Sequence, residues 1–292
     1  MGQPWCLEGR AQDLLTSADG GAPSVVAHGS FSITASPMRE ILKVEVSPPH
    51  PRAHELVGVR AGGASRVALG GIMGDVRGTP LYQLLDDFAG ASLVAGWIWS
   101  AWNPDWRKDR AIPKGMKGPR EGVCTGFAPG ASALATDGSI ELTHSSTVVG
   151  PFDNPDDSAG WHALAEQQGS PQSRRARRID LWREDGLIKI DAAFQDSGPG
   201  PTGERIAIHE YRVHAEIDPA SGVLVTMQVL PLILPFVECP GASIKATRMI
   251  GQNVAEFRNA VIETLPTTMG CTHLNDVLRG LSDALLLAEQ LP

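Results

Sequence analysis

Met249-Ile250-Gly251 is followed by a helix-like run and then by Gly270-Cys271-Thr272-His273-Leu274, with Val277 and Leu278 beyond it. Leu56-Val57-Gly58 is followed by a run of similar length and then by Gly78-Thr79-Pro80-Leu81, with Leu84 and Leu85 beyond it. Gly251 lies 193 positions after Gly58 and Gly270 lies 192 after Gly78, so a single indel aligns the two stretches. This spacing predicts an internal duplication. The copies differ at the helix entrance, where the second carries Cys271 and His273 and the first the chemically silent Thr79 and Leu81. Chemistry is therefore expected in the second copy, with the first as scaffold.

Outward from these motifs, Phe31 to Thr34 and Ile41 to Val46 alternate apolar and polar residues as half-buried strands do, and Pro48, Pro49 and Pro51 stop the second. Helices are expected over 54–59 and 63–73, and another opens at Thr79-Pro80, an N-cap followed by proline at the first helical position. Strands are expected at 179–182, 187–194, 205–217 and 223–229, with Asp185-Gly186 and residues 218–222 as turns. Helices follow from 243, 254 and 272, the last with Leu274, Val277, Leu278, Leu281 and Leu285 on one stripe and Thr272 as its N-cap. The fold class is α+β: two related halves from a duplication, each an antiparallel sheet packed with helices. The expected boundaries are an N-terminal extension over 1–23, a first half over 24–106, a Gly/Pro-rich linker or lid over 107–173, and a second half over 174–292.

Hydrophobic residues make up 42% and charged residues 20% of the 292, which describes a globular chain with ample core. The 33 acidic residues exceed the 25 basic ones, which argues against a nucleic-acid partner. The one basic cluster, Arg174-Arg175-Ala176-Arg177-Arg178, reads as an anion site for a carboxylate or phosphate or as a solvated strand entrance. No apolar run reaches ~18 residues, so no membrane partner is expected, and the four widely spaced cysteines suit a reduced, cytoplasmic compartment. A homo-oligomer is compatible with the sequence.

His209 and His214, five apart on one strand, point to opposite faces, and Tyr211 and Val213 share the face of His209. That face is the less polar one, so His209 is the better functional candidate, against a satisfied core histidine. Cys271 at a helix start would have its thiolate favoured by the helix dipole, making it a nucleophile or a ligand. No metal or other cofactor is expected. If zinc binds, Cys239, Cys271, His273 and His209 supply tetrahedral valence in an unrecognised spacing; a buried structural cysteine pair is the competing reading. Asp180, Asp185, Asp191, Asp196 and the Asp86-Asp87 pair are candidate acids, and only one of Asp86 and Asp87 can face the interior. Four of the seven tryptophans fall at Trp97, Trp99, Trp102 and Trp106, a ladder expected to run off an element into a loop. With Phe88, Trp161 and Trp182 these rings suit a flat apolar ligand or plain core filling. No phosphate-binding loop, nucleophile elbow or dinucleotide fingerprint occurs.

From Arg177 onward the chain resembles the bacterial domain of unknown function 2889 family. The matching features are Arg178 to Asp180, Glu184 to Gly186, His209, Pro235 with Cys239, Ile250-Gly251, and Gly270 to Leu274, over residues 174–289. The stretch Gly78 to Asp87 and the tryptophans are similar to the long form of that family. The resemblance implies a shared site around His209, Cys239, Cys271 and His273, and gives no reaction. The resulting expectation is a cytoplasmic enzyme of small-molecule catabolism acting on a hydrophobic carboxylate, ester or ketone, of lyase, isomerase or hydrolase type and not nicotinamide-dependent. His209, His273, Cys271 and Asp87 would be catalytic, and Trp97, Trp99, Trp102, Tyr82, Tyr211 and Arg178 would contact substrate. The rival is a non-catalytic binding or assembly protein with an aromatic-lined cavity.

Overall fold

A computed structural model describes residues 3–17, 21–103, 121–134, 147–150, 152–154, 159–160 and 170–292. Most of the expected linker over 107–173, together with Trp106 and Trp161, lies outside the described residues. The chain divides into two compact units, Met1–Leu93 with Leu286–Pro292, and Val94–Leu285.

In the first unit, β1 (Trp5–Leu15), β2 (Ser24–Ala35) and β3 (Ile41–Ser47) form an antiparallel sheet in sequence order. The expected N-terminal extension thus contains a strand; Gly9, Arg10 and Asp13 interrupt the alternation that would have marked it. Phe31, Ile33 and Ala35 alternate inward on β2 and pack with Ile41, Leu56, Leu69, Leu81, Leu85 and Phe88. A 3-10 turn at Ala53–Leu56 and α1 (Gly63–Ile72) precede α2 (Pro80–Trp102). Thr79 caps α2 as expected, its Oγ1 accepting from Tyr82 N at 3.3 Å. The helix then continues through Trp97, Trp99 and Trp102, so these rings do not run off into a loop.

In the second unit, β5 (Arg174–Glu184), β6 (Leu187–Pro199), β7 (Arg205–Ile217) and β8 (Leu224–Ile233) form an antiparallel sheet, and the short β4 (Thr147–Val148) also pairs with β7. Asp185 and Gly186 close the β5–β6 hairpin with φ of 53° and 77°, the left-handed pair that a two-residue turn requires. Helices α3 (Gly241–Ala246), α4 (Phe257–Thr264), α5 (Thr272–Gly280) and α6 (Ala284–Ala288) follow.

The two units repeat one hydrogen-bond pattern. Gly58 N donates to Ile41 O and Gly251 N to Leu224 O, both at 2.8 Å. Ala61 N donates to Arg39 O at 2.8 Å, and Val254 N to Gly222 O at 2.9 Å. Arg39 and Gly222 have φ of 62° and 69°; Gly58 and Gly251 have 87° and 88°. The β1–β2 and β6–β7 pairs are bulged, at Asp13/Leu14 and at Asp196/Ser197. The β2–β3 pair is irregular at Thr34/Ala35, and β7–β8 at Glu216/Ile217 and at Glu210/Tyr211. The pairs β1–β2 and β2–β3 thus share these features with β6–β7 and β7–β8.

Candidate functional site: a carboxylate, two imidazoles and a thiol

The register of three strands sets the site. Arg175 pairs with Asp196, and Asp196 with His209; one step along, Arg177 pairs with Phe194 and Phe194 with Tyr211. Alternation places these six on one face. The start of α5 supplies the remaining groups. Gly270 is extended, and a Cβ there would lie 2.6 Å from Leu265 O, so only glycine allows this approach. Thr125 N and Oγ1 both donate to Gly270 O, at 2.8 and 3.0 Å, and Lys245 Nζ donates to Thr268 O at 2.7 Å. These contacts brace the loop ahead of the helix.

The N-cap of α5 is Cys271 and not Thr272. Its φ and ψ are −118° and 129°, and its carbonyl accepts from Asn275 N at 2.8 Å. Thr272 is the first helical residue.

Asp196, His209 and His273 bring ligand-type atoms within 4.8 Å of one another. His209 Nδ1 lies 3.6 Å and His273 Nε2 3.8 Å from the same atom, Asp196 Oδ2. The rings stack, with centroids 3.5 Å apart and planes at 20°. Both nitrogens are buried without a hydrogen-bond partner, an arrangement that costs about 1–3 kcal/mol per group. His273 Nδ1, at the other side of its ring, is 3.9 Å from Cys271 Sγ. Arg175 grips Asp196 through Nε at 2.9 Å and a terminal nitrogen at 3.0 Å, and reaches Asp276 Oδ2 at 2.7 Å.

Burial alone would raise the Asp196 carboxyl, but the charge and hydrogen bonds of Arg175, with the imidazoles, hold it well below the carboxylate range. Burial lowers His209, against the pull of Asp196. Burial, reinforced by the neighbouring His209, lowers His273 further. The folded cluster thus holds an ionised carboxylate beside two neutral imidazoles. Burial also raises the Cys271 thiol, opposed by the Tyr211 hydroxyl and the Leu274 amide, and pushes Cys239 up to about 12. The Tyr211 hydroxyl is raised by burial and by the thiols of Cys271, Cys239 and Cys124.

The structure therefore brings His209, His273, Cys271 and Tyr211 together, and adds Asp196, Arg175 and Asp276. Asp196 takes the place of the two cysteines beside the histidines in the three-donor set. Arg178 lies on the opposite face with Asp180, Asp191, Arg212 and His214, where Arg212 clamps Asp191 at 2.7 and 2.6 Å. A groove of about 420 Å³ on that face is lined by Trp182, Lys189, His214, Glu216 and Gln228 among others. Trp102 Nε1 donates to Pro199 O at 2.8 Å, and Trp99 is 46% exposed. Asp87 and Tyr82 belong to the first unit: Asp87 accepts from Gln83 at 3.2 Å, and Tyr82 is core. Of the acidic pair, Asp86 is the buried member.

These features define an α+β protein whose second unit encloses a carboxylate–imidazole–thiol cluster. Residues 173–286, which contain Asp196, His209, Cys271 and His273, match the family model described as "Protein of unknown function (DUF2889)". No curated protein and no solved structure matches the chain. No helix among the described residues is long and apolar enough to cross a membrane.

Proposed function

We propose that the chain is an enzyme of small-molecule catabolism, working in the cytoplasm on a hydrophobic carboxylate, ester or ketone, with its reaction centre at Asp196, His209, His273 and Cys271. One observation carries this reading: two imidazoles with unpartnered ring nitrogens meet one ionised carboxylate oxygen in a buried cluster. Structural histidines are normally hydrogen-bonded. Unpartnered nitrogens beside a thiol suit a group that holds and passes a proton next to a carbonyl, as lyase, isomerase and hydrolase steps need. The repeated hydrogen bonds and bulges favour an origin by internal duplication, with the first unit retained as scaffold. At the position of His209 that unit has Ala27, and at that of His273 it has Leu81.

The test is turnover of a panel of hydrophobic esters together with deuterium uptake α to the carbonyl of hydrophobic ketones. His273→Gln and His209→Gln should each lower the rate by about 10²- to 10⁴-fold with unchanged circular dichroism. Rates that survive both substitutions would sink the assignment. A second reading, a binding or assembly protein, is favoured by the burial of Cys124, Cys239 and Cys271, which raises all three thiols. It predicts ligand binding without turnover.

A further inference from the structure

We infer that Asp196 Oδ2, His209 Nδ1 and His273 Nε2 form a binding site for one first-row divalent cation, with positions left open for water or substrate. Three independent features lead there. The three donor atoms converge within 4.8 Å, and the two nitrogen-to-oxygen separations are 3.6 and 3.8 Å. Ligand bonds of about 2.0–2.2 Å give edges of roughly 3–3.5 Å between neighbouring donors, so the two nitrogen-to-oxygen edges need only a small contraction, while the two rings must turn out of their stack to aim at one ion. Second, these separations are too long for hydrogen bonds, and both nitrogens are buried with no other partner. Third, the surrounding groups behave as outer-sphere supports. Arg175 fixes the carboxylate from its far side, and the fork uses two of roughly four lone-pair directions, leaving one on Oδ2 for a cation.

The geometry also says which groups stay outside. Cys271 faces Nδ1 of His273, across the ring from the nitrogen that faces Asp196. The donor set is thus N2O without sulfur, a two-histidine, one-carboxylate arrangement that suits Fe(II), Zn(II) or Co(II). An ion would draw the two stacked rings apart, because coplanar lone pairs on parallel rings cannot converge on one point. The inference rests on the proposed reaction centre for its use, since a bound ion would polarise the substrate carbonyl there, but not for its existence.

Cobalt decides the matter. The full chain, stripped with a chelator and titrated with Co(II), should retain one ion per chain and show ligand-field bands without a sulfur charge-transfer band. His209→Ala should lose that ion, while His214→Ala, on the opposite face, should keep it. No retained cobalt, equal retention in His209→Ala, or a strong thiolate-to-cobalt band would overturn the site. Should His209→Ala fail to fold, the wild-type stoichiometry and spectrum decide alone. Cobalt binding without turnover of any substrate keeps the site and removes the reaction; turnover in a chain that retains no cobalt does the reverse.

Discussion

Gly29 on β2 and Tyr211 on β7 show how a single residue decides what a sheet face can hold. A Cβ on Gly29 would lie 2.5 Å from Leu81 N, so α2 begins directly on its sheet. On β7 the side chain of Tyr211 is a fully buried phenol. Gly29→Ala should therefore destabilise by about 1–3 kcal/mol, as overpacking does, read from urea unfolding; an unchanged midpoint would refute the close approach. At Thr272 the reverse holds. Because Cys271 is the cap, Thr272→Ala should move stability by no more than about 0.5 kcal/mol, whereas a loss near 1 kcal/mol would restore Thr272 to the cap position. Among the cysteines, Cys6 is exposed and the other three are buried. Iodoacetamide followed by peptide mass mapping should label Cys6 alone in the native chain, with Cys124, Cys239 and Cys271 appearing on unfolding.

At the scale of the element, much of the site was legible in the turn chemistry. Asp185-Gly186 demands a two-residue hairpin, and that turn alone sets Arg175 opposite Asp196. The step from Asp196 to His209 was not legible, because the bulge at Asp196/Ser197 has no sequence mark. The full length of α2 was hidden for a related reason: tryptophans at 97, 99 and 102 spread around a helix and form no apolar stripe. The approach of α5 to the sheet row is a tertiary fact, so Asp276 could not be connected with Arg175. The opposite face carries an ion network. Burial would raise Asp191, but Arg212, with Arg178 and His214, outweighs it and holds the carboxyl low. Its contribution is full above the unfolded aspartate value of about 3.9 and is lost as pH falls through the lower folded value. Asp191→Asn should cost about 1–3 kcal/mol at neutral pH and flatten the acid limb of a stability-versus-pH curve. A limb as steep as that of the wild type would assign the acid sensitivity elsewhere.

At the scale of the whole molecule, the α+β class and the paired motifs were readable because Gly58 and Gly251 hold left-handed backbone and cannot drift. The first unit is built from two separate stretches of chain, with Leu286–Pro292 joining Met1–Leu93. A Cβ on Gly78 would lie 2.3 Å from a methyl carbon of Leu286, so the returning segment presses on the turn ahead of α2. Deleting residues 286–292 should lower the stability of the first unit, measured as faster amide exchange in β2 and α2; unchanged exchange there would make the return dispensable. The same feature imposes an order in time. A ribosome adds residues from the N-terminus, and residues 286–292 emerge only after all of 94–285 has been made. The unit that begins the chain is thus the later of the two to be completed, and a nascent chain halted at residue 285 would hold every residue of the candidate site while the first unit still lacked Leu286–Pro292.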